Sequence, residues 1–235
     1  MRAGIAVADS TAGIYAATGI LIALAERERS GTGQWVHTSL LQAQIALMDF
    51  QAARYLVDGE VSGQAGNDHP HTTPMGVFTT KDGFINIGVG GENQWHAFCA
   101  ALNRPDLLAN PNYTTQPDRL RHRPALRQEL ELVLRNRTSA EWLKLFDEHS
   151  IPAGPIYKVN EVFSDPQVEH LGMAVEMHHP RRGKIDLVGE PVVLSRTPAH
   201  IESLLPELGE HTEQILREAG YTAPEILELR QAKAV

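Results

Sequence analysis

The chain is 235 residues long, 42% hydrophobic and 21% charged. That is the usage of an ordinary globular protein of one or two domains, long enough to bury a sizeable core. Lys and Arg number 21 against 29 Asp and Glu, a formal charge of −8. This argues against sequence-independent nucleic-acid binding, which needs excess cations against phosphates.

Cys99 is the single cysteine, so no intrachain disulfide forms, and a reducing, cytoplasmic compartment is expected. The longest apolar stretch, Ala12 to Ala25, contains Tyr15, Thr18 and two glycines and runs into Glu26-Arg-Glu-Arg29. It is shorter than the roughly 20 apolar residues of a bilayer helix. A charged run in place of a small-residue cleavage site also speaks against a signal peptide. No membrane partner is expected.

Gly4-Ile-Ala-Val-Ala8 reads as a short buried strand, with no preceding strand to pair with it. Met1 is therefore expected not to be where the ancestral domain began. Thr11 to Arg29 has helical spacing and is apolar nearly all round, so most of it is expected to be buried, with Gly31 and Gly33 stopping it. Gln34 to Ser39 alternates as a strand does, and Leu40 to Leu56 reads as a second helix ended by Asp58-Gly59. Strand, helix, strand, helix suggests an α/β layer.

Residues 58–75 change character, carrying Gly59, Gly63, Gly66, Pro70 and Pro74 among Asn67, Asp68, His69 and His71. Long loops of this kind are often functional. A hairpin turning at Lys81-Asp-Gly83 follows, then helices at 92–102, 105–109, 117–135 and 138–149. Pro152, Gly154 and Pro155 mark a boundary, and Ser164-Asp-Pro166 opens a short helix. Strands are expected at 173–178 and 184–189, with Val192-Val-Leu194 a possible third. Residues 198–208 should be extended, and two short helices should close the chain.

Familiar site motifs are mostly absent. Gly88-Val-Gly90-Gly-Glu-Asn93 has Asn where a dinucleotide fingerprint needs glycine, so it reads as a strand end and turn. His69/His71 and His178/His179 lack carboxylate or thiolate partners at zinc spacing, and no metal is expected. Arg119, Arg121, His122, Arg123 and Arg127 are either a solvated helical face or an anion site. Asp9, placed between an expected strand and a helix, has two readings. It could cap the helix, or it could be a nucleophile or base at the carboxyl end of a strand.

Several stretches together resemble the class III CoA-transferases, the formyl-CoA-transferase-like enzymes that include α-methylacyl-CoA racemases. They are Ala8-Asp-Ser-Thr-Ala-Gly13, Gly19 to Arg27, Gly31-Thr-Gly-Gln34, Gly66-Asn-Asp-His-Pro70, Gly76-Val-Phe78, Asp82-Gly83, Asp118-Arg119, Ile151-Pro-Ala-Gly-Pro155, Asp165-Pro-Gln-Val168 and Leu208-Gly-Glu-His-Thr212. No single stretch is specific; their order and spacing carry the match.

The resemblance implies an acyl-CoA:carboxylate CoA-transferase with Asp9 as a nucleophile that forms an aspartyl-acyl anhydride. Coenzyme A and its thioesters would be the substrates, together with a carboxylic acid. It implies a loop closing over that aspartate, here Asn67, His69, Pro70 and His71, without the glycine run of formyl-CoA transferases. It implies an interlocked homodimer, and a longer protein in which this chain is the C-terminal part, most coenzyme A contacts lying upstream.

The fold expected is α/β: part of a Rossmann-like large domain, a smaller α+β domain, and a tail returning to the large domain. Residues 1–57 would belong to the large domain, 58–75 to the active-site loop and linker, 76–160 to the small domain, and 161–235 to the returning segment. Two other readings stay open: a 2-methylacyl-CoA racemase, and an inactive fragment or subunit completed by a separate N-terminal half.

Overall fold

The structure, a computed structural model, describes residues 4–201 and 203–235. The chain divides into two compact units, one ending at Pro155 and the other beginning at Ile156.

The first unit opens with helix α1 (Val7–Ser30). Asp9 in its first turn and Arg27 and Arg29 in its last match the helix dipole at both ends. Gly31, at φ 72°, closes it by donating its N–H to Arg27 O at 2.8 Å. The strand expected at Gly4–Ala8 is not formed, because the helix already begins at Val7. Gln34–Ser39 forms no strand and belongs to no sheet. Neither segment has a neighbouring strand among the described residues to take up its backbone donors and acceptors. The Rossmann-like part of the expected fold therefore has no parallel sheet here.

Helix α1 is also not buried as expected. Only Ala12 is, while Ile14, Ile20, Leu21, Ile22 and Leu24 face solvent. At 24 residues it is long and apolar enough, by length and composition alone, to cross a membrane. This corrects the expectation that the segment is too short. A core helix passes the same test, and Asp9 would be costly in lipid. The second expected helix is split into α2 (Leu40–Ala46) and α3 (Phe50–Asp58), broken where Asp49 takes φ 46°.

The core of this unit lies downstream. Strands β1 (Met75–Thr79), β2 (Phe84–Gly88) and β3 (Ala153–Pro155) form an antiparallel sheet in the order β1-β2-β3. Phe78, Ile85 and Ile87 point from it into the core. Helices α4 (Glu92–Ala101), α5 (Pro105–Ala109), α6 (Gln116–Arg121), α7 (Arg123–Leu134) and α8 (Ser139–Glu148) supply the rest. Buried residues recur every four positions, as helical packing requires: Leu126, Leu130 and Leu134 on α7, then Trp142 and Phe146 on α8. The Trp142 indole N–H donates to Leu134 O at 2.7 Å, so its one polar atom is satisfied in the core. Gly88–Gly91 is the strand end and turn expected, with Gln94 Oε1 accepting from Gly90 N–H at 2.8 Å.

The second unit contains α9 (Val159–Val162), α10 (Pro166–His170), a hairpin of β4 (Ala174–His179) and β5 (Gly183–Val188), then α11 (Thr212–Glu218) and α12 (Ala223–Gln231). Asp165 caps α10, accepting from Gln167 N–H at 2.8 Å. At the β4–β5 turn, His179 Nδ1 accepts from the amides of Arg181 and Arg182, so this histidine shapes the turn. The possible third strand at 192–194 is not formed.

Candidate functional site

The loop between α3 and β1 is built inward from the exposed residues 59–64 to buried Thr73 and Pro74. Its second half folds back on β1. Val77 N–H donates to Asn67 O at 3.2 Å, and His69 N–H to Met75 O at 2.9 Å. The Thr73–Pro74 peptide is cis.

Three arginines spaced by four, Arg119, Arg123 and Arg127, hold this loop from α6 and α7. Arg119 donates to Thr73 O at 3.4 Å. Arg123 donates to His69 O at 2.7 Å and Pro70 O at 3.3 Å. Arg127 donates to Val77 O at 2.9 Å and pairs with Asp68 and Glu131. Arg123 and Arg127, four apart on α7, share a helical face, and Arg119 reaches the same loop from the separate helix α6. The alternatives left open for this basic cluster thus resolve residue by residue. Arg119 and Arg127 are internally paired and fit neither a solvated face nor a free anion site. Arg121 is exposed and bonded to Asp118. Arg123 meets only carbonyl oxygens, and its buried Nε has no partner. Such an orphan donor costs about 1–3 kcal/mol unless an acceptor reaches it.

His69 and His71 both lie against Phe50 of α3. The His69 ring stacks on it at 5.7 Å, and the His71 ring meets it edge-on at 6.2 Å. His71 N–H donates to His69 Nδ1 at 3.3 Å, so that nitrogen is unprotonated. Burial, then the neighbouring His71 and Arg123, lower the His69 pKa from its usual value. Arg54 of α3 bonds the His71 ring at Nε2. A guanidinium only donates, so Nε2 is the acceptor and the proton of neutral His71 sits on Nδ1. Arg54 also bonds Ser62 Oγ at 2.8 Å and pairs with Glu60. Arg54, Glu60, Ser62, Pro70, His71 and Arg123 wall a cleft of about 220 Å³.

Asp9 is exposed and is the third residue of α1. The N-cap is Ala6, without a side-chain hydrogen bond. The capping reading of Asp9 is thus corrected, because the helix starts at Val7, four residues earlier than expected. Among the described residues no hydrogen bond or ion pair joins Asp9 to the loop. Asn67 is exposed at the loop's bend, and Pro70 lines the cleft. The structure therefore brings together His69, Pro70 and His71, with Asp9 on a different element.

Phe50, Arg54 and Glu60 are members of this site that the sequence did not reveal. The spacing of four among the arginines was the visible signal for the rest. Cys99 is no nucleophile, since burial pushes its thiol pKa up to about 12. Among the described residues no group of three or more His, Cys, Asp or Glu could hold a metal ion.

Comparison with known proteins supplies the wider context. The chain is 36% identical over 218 residues to the succinyl-CoA:glutarate CoA-transferase of Mus musculus, covering 93% of this chain and 50% of that protein. It is 35% identical over the same length to the succinate–glutarate CoA-transferase of Agrobacterium fabrum, covering 93% of this chain and 54% of that one. A solved CAIB/BAIF family protein from Brucella suis superposes with a TM-score of 0.77 at 29% identity, over 93% of this chain and 56% of the other. The chain thus spans about half the length of the relatives it matches. Residues 1–212 match the model of CoA-transferase family III, and the chain belongs to that family.

Proposed function

We propose that this chain carries the acyl-transfer residues of an acyl-CoA:carboxylate CoA-transferase, with Asp9 as nucleophile. The observation that carries this reading is Asp9 itself: an exposed carboxylate in the first turn of α1, at the position that matches the family's Ala-Asp-x-x-x-Gly stretch. An exposed carboxylate is open to a thioester from solvent, as a nucleophile must be.

The Asp9 carboxylate attacks the thioester carbonyl. The C–S bond breaks, coenzyme A leaves as its thiolate, and a mixed anhydride remains. The thiolate then attacks the aspartyl carbonyl, releasing the donor acid. The acceptor carboxylate attacks the resulting aspartyl thioester and forms a second anhydride. A last attack by the thiolate on the acceptor's carbonyl yields the new acyl-CoA and frees Asp9.

On this reading residues 1–57 belong to a larger coenzyme A-binding domain, and 58–75 close over Asp9 through Asn67, His69, Pro70 and His71. Residues 76–160 form the small domain, and 161–235 return to the large one. The working form is a cytoplasmic homodimer. The mouse and Agrobacterium relatives are named as succinyl-CoA:glutarate and succinate–glutarate CoA-transferases, which supports transfer to dicarboxylic acids.

The test is CoA exchange between succinyl-CoA and glutarate, followed by chromatography of the thioesters. Asp9→Ala should lower kcat by about 10³-fold or more while the circular dichroism spectrum is unchanged. Hydroxylamine added during turnover should convert Asp9 to a hydroxamate visible by peptide mass spectrometry. An Asp9→Ala protein with wild-type turnover would overturn the assignment. Deuterium entering the thioester's α-carbon in place of CoA exchange would show racemase chemistry instead.

A further inference from the structure

The cleft beside α3 holds more positive charge than the fold needs. Two guanidiniums, Arg54 and Arg123, line it against one carboxylate, Glu60. Arg54 is anchored by Ser62 Oγ at 2.8 Å and Gln51 Oε1 at 3.2 Å, and its side chain is only 20% exposed. Arg123 has no carboxylate partner among the described residues, and its contacts are the carbonyls of His69 and Pro70. Glu60 is different: its side chain is 58% exposed and sits where α3 gives way to the loop. An ion pair that exposed contributes little and exchanges readily. The segment Val61-Ser-Gly-Gln-Ala65 supplies the rest of the lining with mostly short side chains, and the volume of about 220 Å³ suits a carboxylate with a few methylenes, not a nucleotide.

We propose that this cleft seats the free, non-reacting carboxylate of a dicarboxylic substrate on Arg54 and Arg123, and that Glu60 occupies Arg54 until that carboxylate displaces it. The assignment deepens the transfer reading and rests on it, because the loop that walls the cleft is the one proposed to close over Asp9. His71 contributes as an acceptor that fixes the Arg54 fork. A fixed, planar guanidinium matches a carboxylate with two parallel bonds, which a lysine cannot do. A monocarboxylic acid has only its reacting carboxylate and would leave the cleft to Glu60.

The experiment compares kcat/KM for glutarate and butyrate as acceptors from succinyl-CoA, in wild type and in Arg54→Lys, Arg123→Lys and Glu60→Gln. Each lysine variant should lower the value for glutarate about tenfold or more, the weight of one charge-assisted hydrogen bond. At saturating succinyl-CoA, whose own free carboxylate also reaches the seat, butyrate should lose much less than glutarate, since as an acceptor it has no second carboxylate to place there. Glu60→Gln should raise the value for glutarate, a gain that misfolding does not produce. Equal losses for both acids would mean the arginines only brace the loop, and the seat would be wrong. A raised KM for succinyl-CoA with both acids unaffected would mean that the cleft does not seat the acceptor's carboxylate, which also overturns it. Calorimetric titration of glutarate into Asp9→Asn protein separates the seat from the chemistry. Binding there that Arg123→Lys abolishes supports the seat even if Asp9 proves not to be the nucleophile. Binding that Arg54→Lys and Arg123→Lys leave unchanged overturns the seat even if Asp9 is.

Discussion

Arg119 and Glu92 form a two-point ion pair, Nη2 to Oε1 at 2.7 Å and Nη1 to Oε2 at 3.1 Å, in which the arginine is buried and the glutamate half-exposed. The remaining donors of Arg119 are used on Tyr113 O at 3.0 Å, Gln116 Oε1 at 3.1 Å and Thr73 O, and its guanidinium lies 4.9 Å from the Trp95 ring centre. One side chain therefore ties α4, α6 and the end of the loop before β1 to the core. The hydrogen bond from Arg119 lowers the pKa of Glu92, as the outer end of a buried charge should.

Replacing Arg119 by leucine should cost about 3 kcal/mol or more, because Glu92, Thr73 O and Tyr113 O all lose their partner at once. Glu92→Gln should cost less, since the amide oxygen still accepts one bond and water reaches that end. Urea unfolding followed by tryptophan fluorescence measures both. An Arg119→Leu protein as stable as wild type would show that the pair does not hold the unit together.

The compact part of the first unit was the most legible in the sequence. The helix at 105–109 and the strands near 75–79 and 84–88 stand where their punctuation put them, because Gly, Pro and alternating apolar residues act locally. The N-terminal segment was misread for a related reason. Gly4–Ala8 has a strand's composition, but a strand exists only where a neighbour takes its hydrogen bonds, and single-chain periodicity carries no information about neighbours. The break at Asp49 was hidden too, since a positive φ at a non-glycine residue leaves no signature. At the site, the loop was found by its Gly, Pro and His content. Arg54 and Glu60 were not, because two charged residues six apart around a helix end look like ordinary surface.

His69 gives the loop a pH dependence whose sign is fixed by its surroundings. Its folded pKa lies below the ordinary 6.5, lowered first by burial and then by His71 and Arg123. As pH falls through the ordinary value, the unfolded chain takes up the proton before the folded one does. Stability is therefore full above about pH 6.5 and is lost as the pH falls toward the folded pKa. The advantage of wild type over His69→Gln in unfolding free energy should shrink between about pH 7.5 and pH 5. A difference constant across that range would mean that His69 titrates alike in both states.

Gly76 fixes the closing of the loop on β1. Its φ of 147° is a conformation that side chains rarely adopt, and a Cβ there would stand 2.5 Å from Asn67 O and 2.7 Å from Asp68 Oδ1. Those are the residues that the loop must bring against the strand, since Val77 N–H donates to Asn67 O and Arg127 holds Asp68. Gly76→Ala should destabilise the protein by about 1–3 kcal/mol and should speed hydrogen exchange at the amides of His69 and Val77. Gly33→Ala is the control, because nothing lies within 4 Å of its added methyl. If the two variants unfold alike and exchange alike, the close approach of loop and strand is not what positions His69, Pro70 and His71. If only Gly76→Ala loosens those amides, the same variant should also weaken glutarate turnover, because the cleft loses the wall that Pro70 and His71 provide.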